Sequence, residues 1–165
     1  MDPFFLAVES SAISVWLRES PSLLAFPFVL ILHTVGLAFL VGTSMAFAAR
    51  TLGLAPDVPL TSLDRYRPVL WLGFWVNAVS GVALLAAYPT KALTNPLFYA
   101  KLALIGAALA AVVPILRYAR LGSTGAAPSV RLKIAAAVSL LCWASSIAAG
   151  RFLAYTWTRL VVDFP

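Results

Sequence analysis

From Ser22 to Arg50 the chain reads SLLAFPFVLILHTVGLAFLVGTSMAFAAR, with one histidine, no acid and no other charge before Arg50. A stretch of that length suits a bilayer span, because about 20 helical residues cross the hydrocarbon core. Comparable stretches follow in RPVLWLGFWVNAVSGVALLAAY, in the segment opened by Asn95 and Pro96, and in the segment beginning near Ser129. Together they make the chain 62% hydrophobic and only 11% charged, where soluble domains hold about 45–50% apolar and about 25% charged residues. The pattern predicts an all-α, polytopic membrane protein. Its four transmembrane helices fall at about 22–49, 67–88, 95–121 and 129–152, in a single helical-bundle domain covering 1–165.

Ahead of the first span, residues 2–19 mix Phe4, Phe5, Leu6, Val8, Ile13, Trp16 and Leu17 with Glu9, Ser10, Ser11, Arg18 and Glu19. That mixture is too polar to span and predicts an interfacial amphipathic helix, capped by Asp2 with Pro3 in its first turn. Pro27 is a candidate kink near the start of span one, and Pro114 lies deep in span three. Between spans one and two, Gly53, Pro56 and Pro59 break helix, and Thr61 with Asp64 has capping-box spacing. Asn95 followed by Pro96 is a helix-start pair. Residues 122–129, GSTGAAPS, read as a flexible connection, and FLAYTWTRLVV extends span four with Tyr155 and Trp157 suited to an aromatic belt.

The net charge is +6. No basic patch is interleaved with aromatics in a polar segment, so nucleic acid is not an expected partner. The basic residues instead report orientation. The linkers joining spans one to two and three to four hold Arg50, Arg65, Arg67, Arg117, Arg120, Arg131 and Lys133; the other side holds Arg18, Lys91, Arg151 and Arg159. The positive-inside rule then puts both termini outside, on the side away from the cytoplasm. Cys142 is the only cysteine, which excludes an internal disulfide and a cysteine-based zinc motif. The N-terminal residues lack the basic region and cleavage site of a signal peptide.

Chemistry has few candidates. His33 is the sole histidine, and an ionisable group at membrane depth is a functional-site hypothesis by default. Gly36, one turn on, leaves space beside its ring for a flat macrocycle or for a neighbouring helix. Lys101 and Arg151 fall in the same half of the bundle, where with His33 they could hold an anion such as a haem propionate, a lipid headgroup or a quinone carbonyl. The competing readings are ordinary: a hydrogen bond from His33 to Ser, Asn or backbone across a tight helix contact, and snorkelling of Lys101 and Arg151 to the interface. A six-coordinate haem needs two axial ligands, and the chain offers one histidine with Met45 about three turns away along the same helix. For copper the soft donors are Cys142, Met45 and His33. No buried carboxylate pair, Ser/His/acid set or phosphate-binding glycine loop is present, so no complete catalytic set is visible. Without an internal repeat or paired broken helices, a solute transporter is not favoured.

SVWLRESPSLLAFPFVLILHTVGLAFLVG, LTSLDRYRPVLWLGFWVNAVSGVALL, NPLFYAKLALIGAALA and AAGRFLAY, in that order, resemble an uncharacterised family of small bacterial four-helix membrane proteins. That family is distantly akin to the membrane domain of copper-resistance D proteins and to J-type protoporphyrinogen oxidase. The resemblance covers nearly the whole chain. It rests on a first-span histidine followed by a glycine (His33, Gly36) and an asparagine- or proline-led third span with a lysine (Asn95, Pro96, Lys101). The oxidase relative implies haem b and the copper relative implies metal passage. The chain departs from its relatives near the end of span three, where AVVPILRYAR holds no histidine. The expected function is a non-catalytic transmembrane subunit of a larger redox or photosynthetic membrane complex, with membrane-protein partners or a homo-oligomer. The alternative is a haem b- or copper-binding membrane protein using His33, with Gly36, Lys101 and Arg151 around the cofactor.

Overall fold

The computed structural model describes residues 7–121 and 127–161, without the side chains of residues 154 and 156–161. Among the described residues, besides the helical turn at 7–9, there are six α-helices and one 3-10 helix: α1 (Ala12–Glu19), α2 (Phe26–Leu52), a 3-10 helix (Leu60–Tyr66), α3 (Arg67–Ala87), α4 (Pro89–Leu93), α5 (Pro96–Arg120) and α6 (Val130–Val161). Four of them are long and apolar enough to cross a membrane, with α3 continuing the 3-10 helix into one such segment, Leu60–Ala87. The protein is an all-α, four-helix membrane protein.

The helix ends follow from local chemistry. Asn95 caps α5, its side chain accepting from the Leu97 amide at 3.0 Å with Pro96 at the first helical position, where the missing N–H is no loss. α2 ends at Gly53, whose φ of 107° is the left-handed conformation glycine adopts without strain. The segment at Thr61 and Asp64 is a short 3-10 helix with no side-chain cap, Asp64 being drawn to Arg67. Two expectations are corrected. Pro27 does not kink span one: α2 begins at Phe26, so the proline sits in its first turn. The N-terminal segment is not one helix from 2 to 19. It breaks at Ser10 and Ser11, whose hydroxyls donate to the Ala7 and Val8 carbonyls in competition with helical hydrogen bonding; Ser11 then caps α1. Residues 2–6, including Asp2 and Pro3, lie outside the described residues.

α1 is tied down rather than merely laid on the bundle. Ser14, fully buried, donates to the Ala86 carbonyl at 2.5 Å, and Arg18 donates to the Ala87 carbonyl at 3.2 Å. Both are carbonyls of the last turn of α3, which has no helical partner for them. Glu9 accepts from the Thr90 amide at the start of α4.

The spans form two antiparallel hairpins, α2–α3 and α5–α6, joined mainly by α2 lying against α6. α3 meets the second hairpin where Arg67 donates both to Asp64 and to the Leu116 carbonyl of α5. Buried side chains concentrate in the half of the bundle nearest these basic linkers: Leu40, Val41, Phe47 and Ala48 of α2, Leu70 of α3, Val112, Ile115 and Leu116 of α5, and Leu132, Ala136 and Trp143 of α6. In α2 the first buried residue is Gly36, and in α5 it is Ala108. The opposite half, towards α1 and α4, buries Ser80 and Ala87 of α3 and Ser146 and Ala149 of α6, so the looser packing there is that of α2 and α5. Leu72, Trp75, Val79 and Val82 form an exposed stripe along α3, the lipid-facing side expected of a helix spaced this way.

Candidate functional site

His33 stands about 10 Å along α2 from its start, at 1.5 Å per residue, in the half where α2 and α5 pack loosely. The contact that presents it is the crossing of α2 and α3. Gly36 and Gly73 face each other there. A Cβ added at Gly36 would lie 2.6 Å from the Asn77 amide nitrogen, and one added at Gly73 would lie 2.6 Å from the Leu40 amide nitrogen. Only backbone without side chains permits that approach, the small-residue packing of membrane helices. The space beside Gly36 is thus taken by the α3 backbone, which leaves no gap for a macrocycle at that point.

The close approach brings Asn77 and Ser80 onto His33. Asn77 Nδ2 donates to the His33 carbonyl oxygen at 2.8 Å. The same nitrogen lies 3.3 and 3.4 Å from the two ring nitrogens, almost equidistant. His33 Nδ1 lies 3.1 Å from the Asn77 carbonyl oxygen and 3.2 Å from Ser80 Oγ. Ser80 Oγ is itself 2.6 Å from the Val76 carbonyl, so its proton is committed to the backbone. Of the three groups around Nδ1, the two closer ones, the Asn77 carbonyl and Ser80 Oγ, accept and the third, Asn77 Nδ2, donates, which favours a proton on Nδ1 and leaves Asn77 Nδ2 to face Nε2. In the neutral ring the lone pair is then on Nε2, the arrangement in which a backbone carbonyl orients an imidazole for a ligand or metal. Gly81 completes the seat: an added Cβ would lie 3.1 Å from His33 Cε1.

Lys101 crosses from α5 to α6. Its side chain runs over Gly150, whose added Cβ would meet Nζ, Cε and Cδ at 3.6, 3.7 and 3.8 Å, and it lies within electrostatic reach of His33. It is half-buried, with no acidic partner among the described residues. Arg151, next to Gly150, is exposed and makes no hydrogen bond to a described residue. The structure therefore joins His33 to Asn77 and Ser80, sets Lys101 nearby, and leaves Arg151 at the surface.

Sequence reasoning missed Gly73 and Gly81, although Gly73, Asn77 and Gly81 recur every four residues and mark one face of α3. For a cofactor, the residues fit one coordination position and not two. Met45 is exposed about 18 Å further along α2, and Cys142 packs against the core in the other half. Among the described residues no group of three or more His, Cys, Asp and Glu side chains comes together. His33 Nε2 faces Asn77 Nδ2 at 3.4 Å, and Lys101 is the cationic side chain within electrostatic reach of the ring. No family model matches the chain, and neither a curated protein nor a solved structure is significantly similar to it.

Proposed function

We propose that the chain is a non-catalytic transmembrane subunit of a larger membrane redox complex, lending His33 to a site that a second chain completes. The observation that supports this most is the single oriented histidine: Nδ1 lies against the Asn77 carbonyl and Ser80 Oγ, Nε2 has the longer Asn77 Nδ2 contact at 3.4 Å, and no group of three or more His, Cys, Asp and Glu side chains comes together among the described residues. The looser packing of α2 and α5 in that half leaves α5 unburied as far as Ala108, room for a helix from another subunit or from a second copy. His33 would hold haem b or copper, either of which would supply one-electron chemistry when bound; this chain would orient the imidazole through Asn77 and Ser80, and Lys101 would offset negative charge near it. The excess of basic residues on the linkers supports a bacterial inner-membrane placement with both termini periplasmic.

The test is gentle purification from the native host, followed by a reduced-minus-oxidised absorption spectrum, metal analysis and identification of co-purifying chains. The expected result is a stoichiometric partner together with a haem or metal signal that disappears in His33→Ala. A partner without any signal supports the subunit role and removes the cofactor. A colourless, metal-free, monodisperse chain recovered alone overturns both.

A further inference from the structure

A second feature lies in the other half of the molecule. Gly42, Thr43, Ala46 and Phe47 of α2, with Leu63 and Tyr66 of the 3-10 helix, line an apolar trough of about 240 Å³. Its floor is made by missing side chains. Gly42 and Ala46 are one turn apart on the exposed side of α2, and a Cβ added at Gly42 meets nothing within 4 Å. Along α2 the lining runs from Gly42 to Phe47, about 7.5 Å at 1.5 Å per residue. That is about a quarter of the thickness of a bilayer hydrocarbon core, room for a segment of one acyl chain.

The rim of the trough is cationic. The Arg65 guanidinium stands 5.0 Å from the centre of the Tyr66 ring. It is exposed and has no acidic partner among the described residues. Asp64, its neighbour, is engaged by Arg67, and Asp57, the other acid of this linker, makes no ion pair. Arg50 is also committed, to the Val58 and Pro56 carbonyls. Arg117, Arg120, Arg131 and Lys133 surround the same end, all exposed. A guanidinium left free beside a short apolar slot matches an anionic amphiphile: a phosphate for the fork of N–H donors and a segment of hydrocarbon chain for the slot.

We propose that this trough holds a segment of one acyl chain of an anionic phospholipid whose phosphate is taken by Arg65. The Tyr66 ring sits between the two parts, at the headgroup level where aromatic side chains favour the membrane interface. The site is independent of His33 and would exist whatever that residue binds.

The full chain, purified in a mild detergent, is offered phosphatidylglycerol or phosphatidylcholine with identical acyl chains, and the tightest-bound lipid is counted by native mass spectrometry. The wild-type protein should retain phosphatidylglycerol about fivefold better, the scale of one basic contact at a membrane surface. Arg65→Gln should reduce phosphatidylglycerol to the phosphatidylcholine level. Gly42→Leu, which grows into open space, should lose both lipids, and Ala46→Leu blocks the same trough as a second variant; circular dichroism checks the helix content of each. Equal retention of the two lipids by the wild type overturns the proposal. So does wild-type retention in the two trough-filling variants, since the lipid would then be held elsewhere on the basic collar.

Discussion

Asn77 shows how much one residue can settle inside a membrane. It donates to the His33 carbonyl, lies against the ring, and through its own carbonyl accepts the Nδ1 proton. Interhelical polar contacts of this kind are worth about 0.6 kcal/mol on average and up to about 1.7 kcal/mol. Asn77→Ala should lower stability by an amount in that range in a denaturation series run in detergent. Ser44 offers the opposite case: its hydroxyl is fully buried with no hydrogen-bond partner. Removing an unpaired buried polar group relieves a desolvation cost, so Ser44→Ala should leave stability unchanged or raise it by up to about 1 kcal/mol. If both variants lose the same stability, the assignment of partners is wrong. His33 was legible in the sequence as an isolated ionisable residue, and Asn77 as a polar group within its span. A hydrogen bond from His33 to Ser, Asn or backbone across a tight helix contact was legible too; that Asn77 and Ser80 of α3 supply it was not, because it depends on how α2 and α3 are rotated about their own axes, which an almost uniformly apolar helix does not encode in its periodicity.

For the elements, the contacts that matter are those between one helix and the end or the backbone of another. α1 satisfies the terminal carbonyls of α3 through Ser14 and Arg18. Ser14→Ala should therefore cost about 1 kcal/mol, as loss of a helix-end hydrogen bond does, and should speed proteolysis of the N-terminal segment without altering the spans. Spectroscopic unfolding and limited digestion of the same sample would check both. At the α2–α3 crossing, Gly73→Ala drives a Cβ to 2.6 Å from the Leu40 amide nitrogen. The two helices must part, at about 1–3 kcal/mol. Gly106, on α5, has nothing within 4 Å of an added Cβ, and Gly106→Ala should be neutral or stabilising by up to about 1 kcal/mol because alanine favours helix. A smaller loss for Gly73→Ala than for Gly106→Ala contradicts the crossing. Helix existence was readable from the lengths of the apolar runs, and the start of α5 from Asn95–Pro96. The break at Ser10 and Ser11 was not, since it turns on side-chain competition for backbone groups that hydropathy does not register.

Across the whole molecule, packing is uneven along the membrane normal. The half near the basic linkers holds Leu40, Phe47, Leu70, Ile115 and Trp143 in one core and is clamped by Arg67, which links the 3-10 helix and α3 to the Leu116 carbonyl. The half that holds His33 has no buried residue in α2 before Gly36 or in α5 before Ala108. Local opening is easiest where buried contacts are few, so backbone amides should not exchange uniformly along a single span. Hydrogen exchange of the full chain in micelles should show slow amides over 108–119 and faster ones over 100–107, although both stretches belong to α5. The same contrast should separate 40–48 from 30–35 in α2. Arg67→Gln removes the clamp and should accelerate exchange over 108–119 while leaving 100–107 unchanged, which narrows the gradient from its protected end. Equal protection along α5 in the wild-type protein would mean that the half around His33 is as tightly closed as the core. There would then be no room on that side for the partner helix that the proposed site requires.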